Sequence, residues 1–150
     1  MTTQPRYLKP SKAGNVFHGM VSWLTRHGVS LWGSRVLYVR GRNSGEWRTN
    51  PVNLLEHGGE RYLVAPRGHT QWVRNLRAAG QGRLRLGNRY EDFTAVELSD
   101  EEKLPVLRAY LRKWAWEVGA FVGSLRADSP ERELRAAAPG FPAFRIVTGH

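Results

Sequence analysis

The chain has 150 residues, 41% of them hydrophobic and 11% aromatic, with 23 Lys and Arg against 13 Asp and Glu for a formal charge of +10. This length and apolar content suit one self-supporting domain and exclude a disordered tail. The absence of cysteine removes disulfides, zinc–thiolate sites, iron–sulfur clusters and cysteine nucleophiles from consideration.

The first twelve residues, MTTQPRYLKPSK, are polar and hold no apolar run of the kind a secretory signal needs. The longest stretch without Asp, Glu, Lys or Arg is Ala13 to Thr25, too short to span a bilayer. The expectation is a cytoplasmic domain. Ser11 is placed to cap a helix running to about His27, with Val16, Met20, Val21 and Leu24 at helical spacing and Gly28 as its stop. This helix reads either as ordinary core packing or as an amphipathic lid, with peripheral contact to the inner face of a membrane.

The period then changes to two. Arg35–Arg40 reads as a strand, Gly41–Glu46 as a polar turn, and Arg48–Glu56 as a second strand interrupted by Pro51, a residue that belongs at an edge, a bulge or beside a ligand. His57-Gly58-Gly59-Glu60 is a hairpin turn into a third strand, Arg61–Ala65, which Pro66-Arg67-Gly68 breaks. Thr70 is placed to cap a short helix to about Ala79, and Arg83–Leu86 with Tyr90–Leu98 forms another hairpin around Gly87-Asn88. Ser99-Asp100-Glu101-Glu102 is a capping box opening a long helix to about Val122, with Pro105 near its first turn. Pro130–Ala138 reads as a short helix and Phe141–Val147 as a last strand. About six short, mostly hairpin-connected strands predict a mainly β, α+β fold: an antiparallel barrel with helices packed outside.

The positive charge is concentrated. Arg26 to Arg89 holds twelve Arg, no Lys and three Glu, a net of +9, whereas Glu91 to the end carries a net of −2. An Arg-rich field of this kind favours a polyanionic partner such as a nucleic acid, an anionic lipid or a phosphorylated cofactor. The alternative is a solvated basic surface. Catalytic signatures of hydrolases, zinc proteases and P-loop enzymes are absent, and the five histidines form no i, i+4 pair, so no metal site is expected. An enzyme of this composition depends on a bound cofactor for its chemistry.

Two stretches read as an anion cradle. Gly41-Arg42-Asn43-Ser44-Gly45-Glu46-Trp47-Arg48-Thr49-Asn50-Pro51 brackets a turn with two glycines and supplies charged and hydroxyl donors. Ala65-Pro66-Arg67-Gly68-His69-Thr70-Gln71-Trp72-Val73-Arg74-Asn75-Leu76 ends a strand and opens a helix, whose N-terminus suits phosphate. Core packing is the alternative reading of Trp72 and Leu76, and both readings can hold together.

The order and spacing of these stretches resemble the deazaflavin-dependent nitroreductase family, split-barrel reductases that use coenzyme F-420. That family carries G-R-x-[ST]-G-x-x-R-x-x-P, then a strand ending in A-x-[KR]-G, then W-x-x-N-L. The matches here are Gly41, Arg42, Ser44, Gly45, Arg48 and Pro51; Ala65, Arg67 and Gly68; and Trp72, Asn75 and Leu76. The resemblance implies a split β-barrel in which residues 1–28 form an N-terminal helix or lid, 34–98 the barrel core and coenzyme cradle, and 99–150 the long helix and closing strand.

It further implies that Arg42, Asn43, Ser44 and Arg48 hold the coenzyme's phosphate and acidic tail, while Pro51, Val52 and Asn53 line the deazaflavin ring. Ala65, Pro66, Arg67 and Gly68 would reach the phospholactyl part, and Trp72, Asn75 and Leu76 would close the cradle. Asn43 stands where many relatives have Lys or Arg, Asn53 where some have Tyr, and Pro66 where some have Ser. The implied reaction is hydride transfer from the reduced coenzyme to a small electron-poor acceptor: a quinone, an enone, a coumarin-type lactone or a nitroaromatic. Tyr110, Trp114 and Trp116 on the long helix are expected to form an aromatic substrate wall, with core packing as the alternative.

Three rival readings stand beside this one. The first is a split-barrel protein binding FMN or haem. The second is a nucleic-acid-binding module that uses Arg74, Arg77, Arg83, Arg85 and Arg89 as a phosphate-tracking stripe and Trp47 and Trp72 for stacking. The third is a coenzyme-binding protein without catalysis. The family resemblance leads to the expectation of no nucleic-acid partner.

Overall fold

The computed structural model describes residues 34–148. The helix expected over residues 11–27 therefore lies outside the described residues. Six strands run in the order β1 (Ser34–Arg40), β2 (Trp47–His57), β3 (Glu60–Val64), β4 (Gln81–Leu86), β5 (Arg89–Glu97) and β6 (Ala143–Val147). Helix α1 (Gln71–Ala79) separates β3 from β4, while α2 (Lys103–Val122), α3 (Glu131–Ala137) and a 3-10 turn (Ala138–Gly140) lie between β5 and β6. The strands close into an antiparallel barrel of order β1-β2-β3-β6-β5-β4, with β4 returning to β1. The fold expected from the sequence is the one observed.

Side-chain alternation explains the barrel. Leu37 and Val39 of β1, Leu63 of β3, Leu84 of β4, Phe93 of β5 and Phe144 and Ile146 of β6 meet in one buried cluster, and Val73 and Leu76 of α1 plug its end. A second cluster forms outside, where α2 lays Leu107, Tyr110, Leu111 and Trp114 against Leu55 and Val64. β2 thus has a buried residue on each side in succession, Leu54 inside and Leu55 outside. The hairpin β2–β3 pairs His57 with Glu60 across Gly58 and Gly59, both at positive φ (60° and 80°), the backbone a two-residue hairpin turn of this type demands.

Boundaries differ from expectation where hydrogen bonding decides them. The capping box is present: Glu102 N–H donates to Ser99 Oγ (3.1 Å) and Ser99 N–H to the Glu102 carboxylate (2.9 Å). Regular helix nevertheless starts at Lys103, because residues 100–102 form a turn in which Leu104 N–H bonds the Glu101 carbonyl. The last strand starts at Ala143 rather than Phe141. Phe141 N–H closes the 3-10 turn on the Ala138 carbonyl, and Pro142 has no N–H to offer a ladder.

Candidate functional site

Among the described residues the ladder between β2 and β3 is short. β2 pairs with β1 from Trp47 to Asn53, but with β3 only from Leu54 to His57. The ladders therefore pair the 47–53 backbone on one side only. Pro51 sits opposite Val36 within this segment, where its missing N–H costs least. On the far side of the opening, Ala65 N–H is drawn away to the Pro142 carbonyl (2.8 Å), and residues 66–70 turn into α1.

A cleft of about 610 Å³ opens beside this segment. The turn 41–46 forms one wall, with Arg42, Asn43 and Ser44 facing the cleft, and α1 contributes Gln71 and Asn75 from the other. The turn is tightly built. Gly41 N–H bonds the Glu46 carbonyl and Gly45 N–H the Gly41 carbonyl, each at 2.8 Å, and Gly45 has φ 73°. A Cβ on Gly41 would lie 2.8 Å from Ser44 Oγ, so only glycine leaves that hydroxyl in place. Ser44 Oγ accepts from Glu46 N–H (3.2 Å) and from Arg48 Nη2 (3.4 Å).

The two cradle stretches of the sequence meet through one amide. Asn75 Oδ1 accepts from Arg42 N–H (3.1 Å) and from Arg42 Nη1 (2.8 Å), which pins the turn to α1. Asn75 is itself buried, so the Arg42 guanidinium is aimed by a fixed partner while remaining exposed in the cleft. Helix α1 begins here with no acidic residue in its first turn. Thr70 occupies the N-cap position, yet its hydroxyl makes no cap bond and, although buried, finds no partner among the described residues. An arginine-lined cleft beside a helix N-terminus fits a phosphate-bearing group.

Not every expected residue lines this cleft. Arg42, Asn43, Ser44, Arg48 and Asn75 do; Pro51, Val52, Asn53, Ala65, Pro66, Arg67, Gly68, Trp72 and Leu76 do not. Val52, Ala65 and Leu76 are buried in the barrel interior, and Trp72 packs on Phe144 with ring centroids 6.3 Å apart. Pro51, Asn53, Pro66 and Arg67 are half-buried along the opening. Thr49, Asn50 and Gln71 line the cleft without having been singled out; the position of Gln71 just after the N-cap was the available signal.

The aromatic substrate wall requires correction. Tyr110 and Trp114 are 1% and 0% exposed, and Trp114 Nε1 donates to the Leu54 carbonyl (3.3 Å), so both belong to the core between α2 and the barrel and offer no surface to an acceptor. The side chain of Trp116 lies outside the described residues.

Three arginines of the alternative phosphate-tracking stripe, Arg77, Arg83 and Arg85, are engaged elsewhere. Arg77 forms a two-pronged pair with Glu97 (2.8 and 2.7 Å), and Arg83 binds Asp92 at 2.6 Å, which holds the guanidinium above its usual pKa and the carboxylate below its own. Arg85 donates to the Tyr38 hydroxyl (3.1 Å), which likewise raises its pKa. Trp47 joins this outer face to the cleft, with Arg40 stacked 4.2 Å from its ring. Among the described residues no group of His, Cys, Asp and Glu is arranged to hold a metal, and no helix is long and apolar enough to cross a membrane.

Solved structures with this fold include a conserved hypothetical protein, Rv2991, from Mycobacterium tuberculosis (16% identity, TM-score 0.54, covering 99% of this chain and 87% of that one). A FAD-binding protein from Mesorhizobium loti is similar as well (15% identity, TM-score 0.53, 99% and 95% covered). An F420-H2 dependent reductase, FDR-A, matches at 23% identity with a TM-score of 0.44 over 75% of this chain and 92% of that one. The first two likenesses establish the fold alone. The family model for F420H(2)-dependent quinone reductase matches residues 22–118, well over half of the chain, and includes both walls of the cleft. The chain belongs to the F420H(2)-dependent quinone reductase family and is an F420-dependent oxidoreductase.

Proposed function

We propose that the cleft between the 41–46 turn and α1 holds the anionic part of reduced coenzyme F-420, and that the acceptor is a quinone-class molecule admitted along the open side of β2. The observation that carries this reading is the Arg42–Asn75 bridge, which makes one anion-binding wall from two distant stretches of chain. Arg42 and Arg48 would bind phosphate and carboxylate oxygens through charge-assisted, fork-shaped contacts, and Ser44 would add a hydroxyl donor. Backbone groups of Pro51–Asn53, lacking a strand partner on one side, would flank the ring.

When bound, the reduced coenzyme supplies the hydride; this chain supplies position and charge. Among the described residues the cleft lining holds no Asp, Glu, His, Tyr or Lys, so the proton that completes acceptor reduction would come from solvent through the open side. Fixing the coenzyme by its anionic end leaves the ring face as the place where an acceptor must stack, and a flat, electron-poor quinone suits that geometry.

Anaerobic mixing of the full chain and reduced coenzyme with menadione, cyclohexenone or a nitroimidazole tests the assignment by following coenzyme oxidation. Menadione is expected to react fastest. Turnover of the enone or nitroimidazole without turnover of menadione would contradict the quinone reading.

A further inference from the structure

Helix α2 turns Leu107, Tyr110, Leu111 and Trp114 to the core. On its flank Leu104, Arg108 and Arg112 form one i, i+4 row, and Pro105 and Ala109 form the next. These five residues, with Glu131 and Leu134 of α3 and His57 at the end of β2, line a cavity of about 390 Å³ that shares no lining residue with the coenzyme cleft. Leu104 and Leu134, both buried, form its floor, with Pro105 exposed and Ala109 half-buried beside them. The lining thus changes along α2 from apolar at 104–105 to cationic at 108 and 112, over about 12 Å of helix.

The two guanidiniums have no counter-ion here. They lie one turn apart, a spacing at which like charges repel. Arg108 Nη1 donates to the Ala127 carbonyl (2.5 Å), which fixes that guanidinium at the connection between α2 and α3 without neutralising it. Its other N–H groups, and the whole Arg112 guanidinium, have no acceptor among the described residues. Glu131 is the carboxylate in the lining, and its ion pair is with Arg135 (3.4 Å), not with either of these arginines. The His57 side chain, on the hairpin side of the cavity, is exposed and has no hydrogen-bond partner among the described residues.

We propose that this cavity binds a small amphiphilic monocarboxylate, an acid whose apolar body rests on Leu104, Pro105, Ala109 and Leu134 while its carboxylate takes the free N–H groups of Arg108 and Arg112. The guanidinium fork matches a carboxylate, and a concave, partly apolar surface of this size with a few polar groups suits a small molecule. An inorganic anion would satisfy the arginines and leave the apolar floor uncovered. A neutral apolar molecule would cover the floor and leave the charges unpaired. Only a ligand with both parts uses the whole lining. This inference does not rest on where the coenzyme binds.

Calorimetric titration of the full chain with octanoate below its micellar concentration and with naphthoate tests it, with acetate and octanol as the charge-only and body-only comparisons. At least one of the two acids is expected to bind saturably, at least about tenfold more tightly than acetate or octanol. The tighter of the two tells an aliphatic ligand from an aromatic one. Arg112→Gln, at an exposed position, is expected to weaken binding about tenfold, the loss of one charge-assisted contact. Glu131→Gln removes the acid from the lining and is expected to tighten binding about threefold, a gain that a misfolded variant would not give. No saturable binding of either acid would overturn the proposal, as would octanol binding as tightly as octanoate or unchanged affinity in Arg112→Gln. So would binding that is lost in Arg48→Ala but kept in Arg112→Gln, which would place the acid in the coenzyme cleft.

Discussion

Asn75 Oδ1 accepts two hydrogen bonds from a single residue, Arg42, one from its backbone N–H and one from its guanidinium. One buried amide thereby fixes both the path of the 41–46 turn and the direction of the cation it presents. Asn75→Ala leaves the partly buried Arg42 N–H without its partner and is expected to cost about 1 kcal/mol of stability, read by denaturant unfolding. Asn75→Asp keeps the acceptor and adds an ion pair, yet neutralises the cleft cation. It should hold or raise the melting temperature while weakening coenzyme affinity about tenfold. Parallel melting and fluorescence titrations separate the two effects.

Among the described residues Trp114 is the largest fully buried side chain, and its indole N–H reaches the Leu54 carbonyl of β2. Trp114→Ala is expected to destabilise the fold by about 3–5 kcal/mol through loss of packing. Chemical denaturation measures this. Where folded protein remains, coenzyme affinity should change little, because Trp114 does not line the cleft.

The capping box makes a pH-dependent contribution. Hydrogen bonds from Ser99, the backbone one foremost, hold the Glu102 carboxyl below its ordinary value of 4.5. A folded-state pKa below the unfolded one means that the stabilisation is complete above about pH 4.5 and is lost as pH falls through the lower, folded value. Glu102→Gln preserves the box geometry and removes the titration. Its melting temperature is expected to fall less than the parent's between neutral pH and pH 3, and an identical fall would contradict the assignment. Ser99→Ala should cost about 1 kcal/mol near neutral pH.

Gly82 lies opposite Phe93, where a Cβ would come within 3.0 Å of both the Phe93 ring and the Tyr38 carbonyl. Gly82→Ala is expected to lose about 1–3 kcal/mol by overpacking. Thermal melts check this, with Gly45→Ala as a comparison: open space surrounds that Cβ and only the positive φ opposes it.

Much of this architecture was legible in the chain because local signals were strong and agreed with the global fold. Gly58-Gly59 fixed one hairpin and Gly87-Asn88 another, and the Ser99–Glu102 box was read correctly although regular helix follows it by a turn. The motif residues Arg42, Ser44, Arg48 and Asn75 proved to share one cleft. Tyr110 and Trp114 were misjudged because helical spacing shows which residues share a face, not whether that face meets a ligand or the barrel. The side chains of Val52 and Leu76 pack into the barrel: a motif marks a segment, while strand and helix parity decide which of its side chains point inward. The half-paired stretch of β2 had no sequence signature beyond Pro51, since it arises where β3 departs from the ladder.

The central claim is that the Arg42–Arg48 wall binds the anionic end of the coenzyme. Fluorescence titration of the full chain and its Arg42→Ala and Arg48→Ala variants with oxidised coenzyme F-420 tests it most directly. Saturable binding is expected for the parent and affinity at least about tenfold weaker for each variant. Unchanged affinity in both variants, with their folds intact by circular dichroism, would contradict the account.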